Sequence, residues 1–259
     1  MSVEKLGLRY GEHRTFGSRI LGLSTSLVRR EVLYVVRSLL PVQHISMNGL
    51  KLPVRDSKLS ATVRRSIRRE NYERPELAAI VRNLRPDDRV LECGAGIGAI
   101  SATSALIVGS NNVVAVEADP RMRDLIEKTW KLNGVSPTLL TGFVTDIPGE
   151  EEITVNDDMV STGRDRSDGS GHRVTVPRLP LAGLLAEWRP TVIIMDVEGA
   201  EVELLTLEEL RTIRMICVEV HPHLIGNDRC LDLIIRLREL GLDLVIDESS
   251  FRCLVFKRA

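Results

Sequence analysis

Apolar and polar positions along this chain change their spacing near residue 86. Before it, the spacing is mostly helical and rich in arginine. Residues 23–40 predict a helix with an apolar side, stopped by Pro41. Residues 46–54 predict an extended stretch that turns at Asn48-Gly49, a dipeptide suited to tight hairpins. Two more helices are predicted over 60–70 and 75–84, the second with a proline in its first turn. Arg85-Pro86-Asp87-Asp88 breaks the pattern and supplies the clearest boundary. We therefore divide the chain into a mainly helical segment, 1–86, packing on or extending a domain over 87–259.

From Arg89 onward, short apolar runs alternate with helical stretches. Strands are predicted over 90–93, 112–116, 138–141, 191–195, 215–220, 242–246 and 253–256. Helices are predicted over 97–108, 120–132, from Glu201, and over 231–240. Such alternation builds a mainly parallel α/β sheet with helices on both faces. Only a few residues separate the last two strands, so they form an antiparallel hairpin. Two extra strands, 152–155 and 173–176, flank the polar, glycine-rich stretch 156–171, which reads equally as a lid or as a solvated loop.

Composition adds compartment and charge. A hydrophobic fraction of 43% suffices for a buried core, and 27% charged residues is ordinary for a soluble domain. The net charge of −1 conceals an asymmetry: residues 1–86 carry 17 basic and 7 acidic side chains, the remainder 18 and 29. A basic front and an acidic body serve two jobs or pack on each other, and packing is the simpler expectation. Cys93, Cys217, Cys230 and Cys253 lie far apart with no histidine at ligand spacing, which fits reduced thiols. The first residues show no export signal, and the longest apolar run, 32–36, is cut by Arg37. A cytoplasmic location is expected.

The sharpest chemical signal is the run Glu92-Cys93-Gly94-Ala95-Gly96-Ile97-Gly98, passing from a strand into a helix. Glycines there let backbone approach a ligand with no Cβ in the way. Three details favour S-adenosylmethionine over a dinucleotide. The spacing is G-x-G-x-G. Glu92 would repel a pyrophosphate but attract the cofactor's amino group. And the sheet ends in an antiparallel hairpin, the outline of a class I methyltransferase, Rossmann-like and seven-stranded. Gly94, Ala95, Gly96 and Gly98 are thus candidate cofactor-binding positions, as is Asp196 at a later strand end. Glu117 ends the second strand beside Ala118, where a carboxylate can accept both hydrogens of a ribose diol. Asp119 is read as a helix cap. Phe143 and Val144 follow the third strand and are candidates to flank the adenine.

At the end of the fourth core strand stands Asp196-Val197-Glu198-Gly199-Ala200-Glu201. This block resembles the hallmark of the FkbM family of methyltransferases. The likeness extends to Tyr72-Glu73, the glycine loop, Val116 to Pro120, and Glu219-Val220-His221-Pro222, covering roughly residues 46–256. It implies an O-methyltransferase acting on sugars, polyketides or other hydroxylated metabolites, with S-adenosylhomocysteine as by-product. Two features depart from the family. Cys93-Gly94-Ala95-Gly96 stands where a G-A-N-like sequence is more frequent. The first forty-odd residues match no family pattern and are free to carry specificity or an oligomer contact.

The chemistry of the residues agrees. Ligands sit at the carboxyl ends of parallel strands, where Asp196 and His221 both fall. A hydroxyl is a poor nucleophile until its proton is taken, and His221 can take it at neutral pH while Asp196 orients the partners. Glu198 is a third catalytic candidate, although Glu198 and Glu201 also suit the opening of a helix, and His221 also suits the turn before Pro222. A divalent ion on Asp196, Glu219 and His221 is the alternative. Two carboxylates and one histidine make a thin octahedral site, so no metal ligand is assigned.

A rival reading makes the protein a nucleic-acid methyltransferase or binder through Arg64, Arg65, Arg68 and Arg69. An aromatic content of 3% and the lack of an N/D-P-P-Y/F sequence argue against it. Docking of the basic front on a membrane surface or a protein is compatible with an enzyme. The expected acceptor is a small molecule or glycan bearing a hydroxyl.

Overall fold

Four strands at the centre of the molecule have no polar face. In the computed structural model, which describes residues 34, 35, 37, 41–155, 172–250 and 252–258, they are β3 (Val90–Cys93), β4 (Val113–Glu117), β9 (Val192–Met195) and β10 (Met215–Glu219). Nearly every side chain on them is buried. That is the requirement of a parallel sheet covered on both sides. With β5 (Thr138–Thr141), β11 (Asp243–Leu244) and β12 (Cys253–Lys257) they form a seven-stranded sheet in the order β11-β12-β10-β9-β3-β4-β5. Only β12 runs against its neighbours. The expected closing hairpin is therefore present, with β12 placed between β11 and β10. The chain leaves β3 toward β4 and returns at β9 on its other side. That reversal opens a crevice at the carboxyl ends of the strands.

One apolar layer joins the sheet to α3 (Ala99–Val108), α4 (Arg123–Asn133) and the earlier elements. Those are the hairpin β1 (His44–Met47) with β2 (Leu50–Pro53), then α1 (Ala61–Arg68) and α2 (Arg74–Asn83). Leu52, Ile67, Leu77 and Ile80 are buried in the same cluster as Ile126 and Val255. The hairpin turns where the sequence indicates, with Asn48 and Gly49 both at positive φ. Ser60 caps α1, its Oγ accepting from Val63 N at 3.0 Å. The other face carries α5 (Leu181–Trp188) and α8 (Asn227–Glu239). Asp88, ahead of β3, is held by the Arg214 guanidinium and by the Thr191 hydroxyl, which donates at 2.8 Å, so three loops at one sheet end are tied together.

Three arginines of the basic front contact their own chain. Arg64 donates to the carbonyl of Leu59 at 2.7 Å, and Arg65 and Arg69 lie over the Tyr34 ring at 5.9 and 4.9 Å. Of the helix expected over 23–40, Tyr34, Val35 and Arg37 are helical and the rest lies outside the described residues. No helix among the described residues is long and apolar enough to cross a membrane.

Four features differ from expectation. Residues 143–145 form a strand, β6 (Phe143–Thr145), parallel to β8 (His172–Pro180). β8 is longer than expected and pairs antiparallel with β7 (Gly149–Val155); Pro177 and Pro180 hide it from a reading of period. Helix α5 was not anticipated. The helix from Glu201 is a single turn, α6 (Glu201–Leu204), and α7 (Pro222–Ile225) precedes α8. The stretch 156–171 lies outside the described residues.

Candidate active site at the carboxyl ends of the strands

The turn after β3 is folded tightly onto its neighbours. Gly94 and Ala95 both donate to the Val116 carbonyl at 3.0 Å, and Asp196 N donates to Cys93 O at 2.9 Å. Gly94 has φ +91°, and a Cβ added there would collide with the Asp196 carbonyl oxygen. Only glycine permits this approach. Gly96, at φ +55°, faces the Tyr72 hydroxyl and the Glu73 carboxylate.

Glu117, at the end of β4, is bent back toward this turn. Its Oε2 accepts from Gly96 N and its Oε1 from Asp119 N, both at 2.9 Å. Burial pushes its carboxyl up to about 7, against the pull of those amides. Asp119 caps the next turn through Arg121 N, as expected.

A cavity of about 450 Å³ opens above the turn. Gly94, Gly96, Glu117, Ala118, Phe143 and Val144 line it, together with Asp196, Glu198 and His221. Three expected cofactor positions are not on its wall. Ala95 is buried behind it. A Cβ at Gly98 would meet Trp130 Nε1 at 2.9 Å and Ile126 Cγ2 at 3.0 Å, so this glycine allows two helices to approach. Glu92, expected to face the cofactor's amino group, is 1% exposed and lies beneath the turn. Strand alternation puts it on the side of Val90, toward Ser101. Burial, opposed by Ser101 and reinforced by the Glu117 charge, pushes it up to about 8.

Part of the lining is a cluster of acids around one imidazole. His221 follows β10 and is 3% exposed. Its Nδ1 is 2.9 Å from Oε1 of Glu201, which is fully buried and also accepts from Gly199 N at 3.1 Å. Its Nε2 lies 3.5 Å from Glu198, 3.6 Å from Asp196 and 3.9 Å from Glu219. Burial alone would lower this imidazole; the bond to Glu201 and the charges of Glu201, Asp196 and Glu198 outweigh it and raise it. Enclosure by the cleft, then the Glu219 and Glu198 charges, push Asp196 up to about 8. Glu219 is paired with Arg252 at 2.6 Å.

Glu198 and Glu201, which also suit a helix start, both face the site. Glu198 precedes the helix, and with Gly199 it adopts positive φ, a doubled reversal that returns its side chain to the cavity. Glu201 opens α6 but is turned inward onto His221. Tyr72 and Glu73 also line the cavity, as do His223 and Arg252. The first pair was visible only within the resemblance block. Arg252 carries no local signal, because β12 brings it from the far end of the sequence.

The wall thus gathers Glu73, Glu117, Asp196, Glu198 and Glu219 against the guanidinium of Arg252. Such a cavity favours a positively charged ligand, disfavours phosphate, and has groups that can take a proton.

A profile of the Methyltransferase FkbM domain matches residues 92–243, more than half the chain. The ribosomal protein L11 methyltransferase of Thermus thermophilus is 36% identical over 66 residues, 26% of this chain and 25% of that protein. The match thus spans a quarter of that relative's length. Among solved structures, P. horikoshii TYW2 in complex with MeSAdo shares 15% identity over 90% of this chain and 82% of its own, with a TM-score of 0.46. The precorrin-6y C5,15-methyltransferase of Geobacter metallireducens shares 13% over 72% and 87%, with a TM-score of 0.43.

Proposed function

This chain belongs to the FkbM methyltransferase family, and we propose that it is an S-adenosylmethionine-dependent methyltransferase whose acceptor is a hydroxyl oxygen of a small molecule or glycan. The observation that carries this reading is the pairing, across one cavity, of a glycine turn closed by Glu117 with a histidine held by Glu201.

The residues present suit the cofactor. Gly94 and Gly96 line the cavity without a Cβ, and one added at Gly96 would crowd the Tyr72 hydroxyl and the Glu73 carboxylate on its wall. Each oxygen of Glu117 spends one lone pair on a backbone amide and keeps another for a ribose hydroxyl. Ala118, Phe143 and Val144 offer an apolar surface for the adenine. When bound, S-adenosylmethionine supplies an electrophilic methyl group on a sulfonium, whose positive charge the acidic wall favours.

His221 is the group placed to take the acceptor's proton. Its Nδ1 is engaged by Glu201, which fixes the ring and leaves Nε2 facing the cavity. Asp196 and Glu198 flank that nitrogen and would orient the hydroxyl. The surplus of acids argues against a phosphorylated acceptor, and the contacts of Arg64, Arg65 and Arg69 within the fold weigh against the nucleic-acid alternative. The test is incubation with isotope-labelled S-adenosylmethionine and panels of glycans, hydroxylated metabolites, RNA and ribosomal protein, read by mass spectrometry. Label on an oxygen of a small molecule or glycan supports the proposal, and label confined to RNA or protein overturns it.

A further inference from the structure

Three carboxylates surround Nε2 of His221 without bonding to it. The distances to Glu198 Oε2, Asp196 Oδ1 and Glu219 Oε1 are 3.5, 3.6 and 3.9 Å. An N–H···O hydrogen bond closes to roughly 2.7–3.2 Å, so none of these is one. The two shorter separations suit atoms that share an ion. Ligands about 2.0–2.2 Å from a common cation, at ordinary coordination angles, stand roughly 3.0–3.7 Å apart.

Two independent observations point to the same place. His221 is almost wholly buried, and its other nitrogen is held by a carboxylate that is itself fully buried. A histidine anchored in this way, with the tautomer fixed and the remaining nitrogen presented, is the usual support of a metal ligand. In addition, Asp196 Oδ1 is buried against the cluster and accepts no hydrogen bond. Asp196 pairs with no lysine or arginine among the described residues, and Arg252, the guanidinium on this wall, is bonded to Glu219.

We infer that Asp196, Glu198 and His221 form a binding site for a divalent cation. Each offers one ligand atom, and these atoms lie within 4.8 Å of one another. Glu219 stays outside the set because Arg252 holds it, so the trio differs from the one that strand ends alone suggest. One imidazole and two carboxylates suit Mn²⁺, Zn²⁺ or Mg²⁺. Three protein ligands leave positions open for water and an acceptor oxygen. The site follows from geometry alone. Its use rests on the function proposed above: the ion would hold the acceptor hydroxyl and make it more acidic, its proton would leave to water at an open position of the ion as the oxygen takes the methyl group, and Nε2 would act as ligand in place of base.

The test uses protein stripped with EDTA and titrated with Mn²⁺, free ion being counted by electron paramagnetic resonance. Wild type is expected to bind one Mn²⁺ per chain. Asp196→Asn and Glu198→Gln should each weaken binding at least about tenfold, and Glu201→Gln, which would not touch the ion, by about 10–100-fold. Glu208→Gln, an exposed remote change, should leave it unaltered. S-adenosylhomocysteine binding measured in parallel shows whether each variant keeps its cavity, and Glu198→Gln, a second ligand on a different turn of chain, keeps the test decisive if Asp196→Asn unfolds. Absence of Mn²⁺ binding at millimolar concentration, or binding indifferent to Asp196→Asn and Glu198→Gln, overturns the site. Methyl transfer sustained in EDTA by protein that binds no ion defeats the site and leaves the function standing. Mn²⁺ binding by protein that methylates no hydroxyl does the reverse.

Discussion

The carbonyl oxygen of Asp196 occupies the space in which a side chain at Gly94 would begin. The glycine turn and the acidic strand end, 102 residues apart in the numbering, are thus in direct backbone contact. Even an alanine at Gly94 must push β3 and β9 apart. Gly94→Ala should therefore destabilise the protein by about 3 kcal/mol or more, within the range of overpacking added to positive-φ strain. Gly134→Ala, also at positive φ but facing open space, should cost about 1–2 kcal/mol. Urea unfolding of the two variants checks the ordering, and equal losses would remove the contact as the cause.

Cofactor binding should depend on the same turn. Gly96→Val would press on the Tyr72 hydroxyl and the Glu73 carboxylate and should abolish S-adenosylhomocysteine binding. Glu117→Ala should weaken it by about 1.5–3 kcal/mol, the scale of hydrogen bonds to a charged group. Calorimetry that finds wild-type affinity in both variants would take this cavity out of consideration as the cofactor site.

Affinity should also fall with acid. Burial lifts Glu117 from 4.5 to about 7 in the free protein, while a ribose diol needs the ionised carboxylate as acceptor. Below about pH 7 binding must first expel a proton, so the dissociation constant should rise up to about tenfold per pH unit. The sign for folding is opposite. A carboxyl whose folded value is raised stabilises the free protein below 4.5, and that contribution is lost as pH rises to about 7. Titrations in two buffers of different ionisation enthalpy count the proton, and Glu117→Gln should flatten the profile. An unchanged slope in that variant would assign the proton elsewhere.

Turnover should separate from binding at the cluster around His221. His221→Ala and Asp196→Asn should lower kcat by about 10²–10⁴-fold while S-adenosylhomocysteine still binds, whether His221 serves as base or as ligand. Full activity in either variant would exclude both roles.

The central strands were legible because burial on two faces leaves only apolar runs at β3, β4, β9 and β10, a pattern that needs no partner to be read. The glycine turn and Glu117 were legible for a similar reason, since both depend on residues next to one another in sequence. β8 was partly hidden because its prolines contradict strand propensity, and tertiary pairing with β6 and β7 overrides that preference. Glu201 was ambiguous because an acid at a helix start looks the same whether it faces solvent or a buried imidazole. Glu92 was misplaced because an acid before a glycine turn does not reveal which side of the strand it occupies. Arg252 had no signal, its meaning depending on where β12 enters the sheet.

That entry has a consequence for synthesis. β12 is late in the sequence yet interior in the sheet, its residue Cys253 lying opposite Glu219 of β10. While the ribosome has yet to release residues 253–257, β10 has a bare edge able to stick to other chains. Glu219 meanwhile lacks the guanidinium that holds it. Loss of β12 would therefore uncover the β10 edge and unbalance the acidic wall together, because one segment closes both.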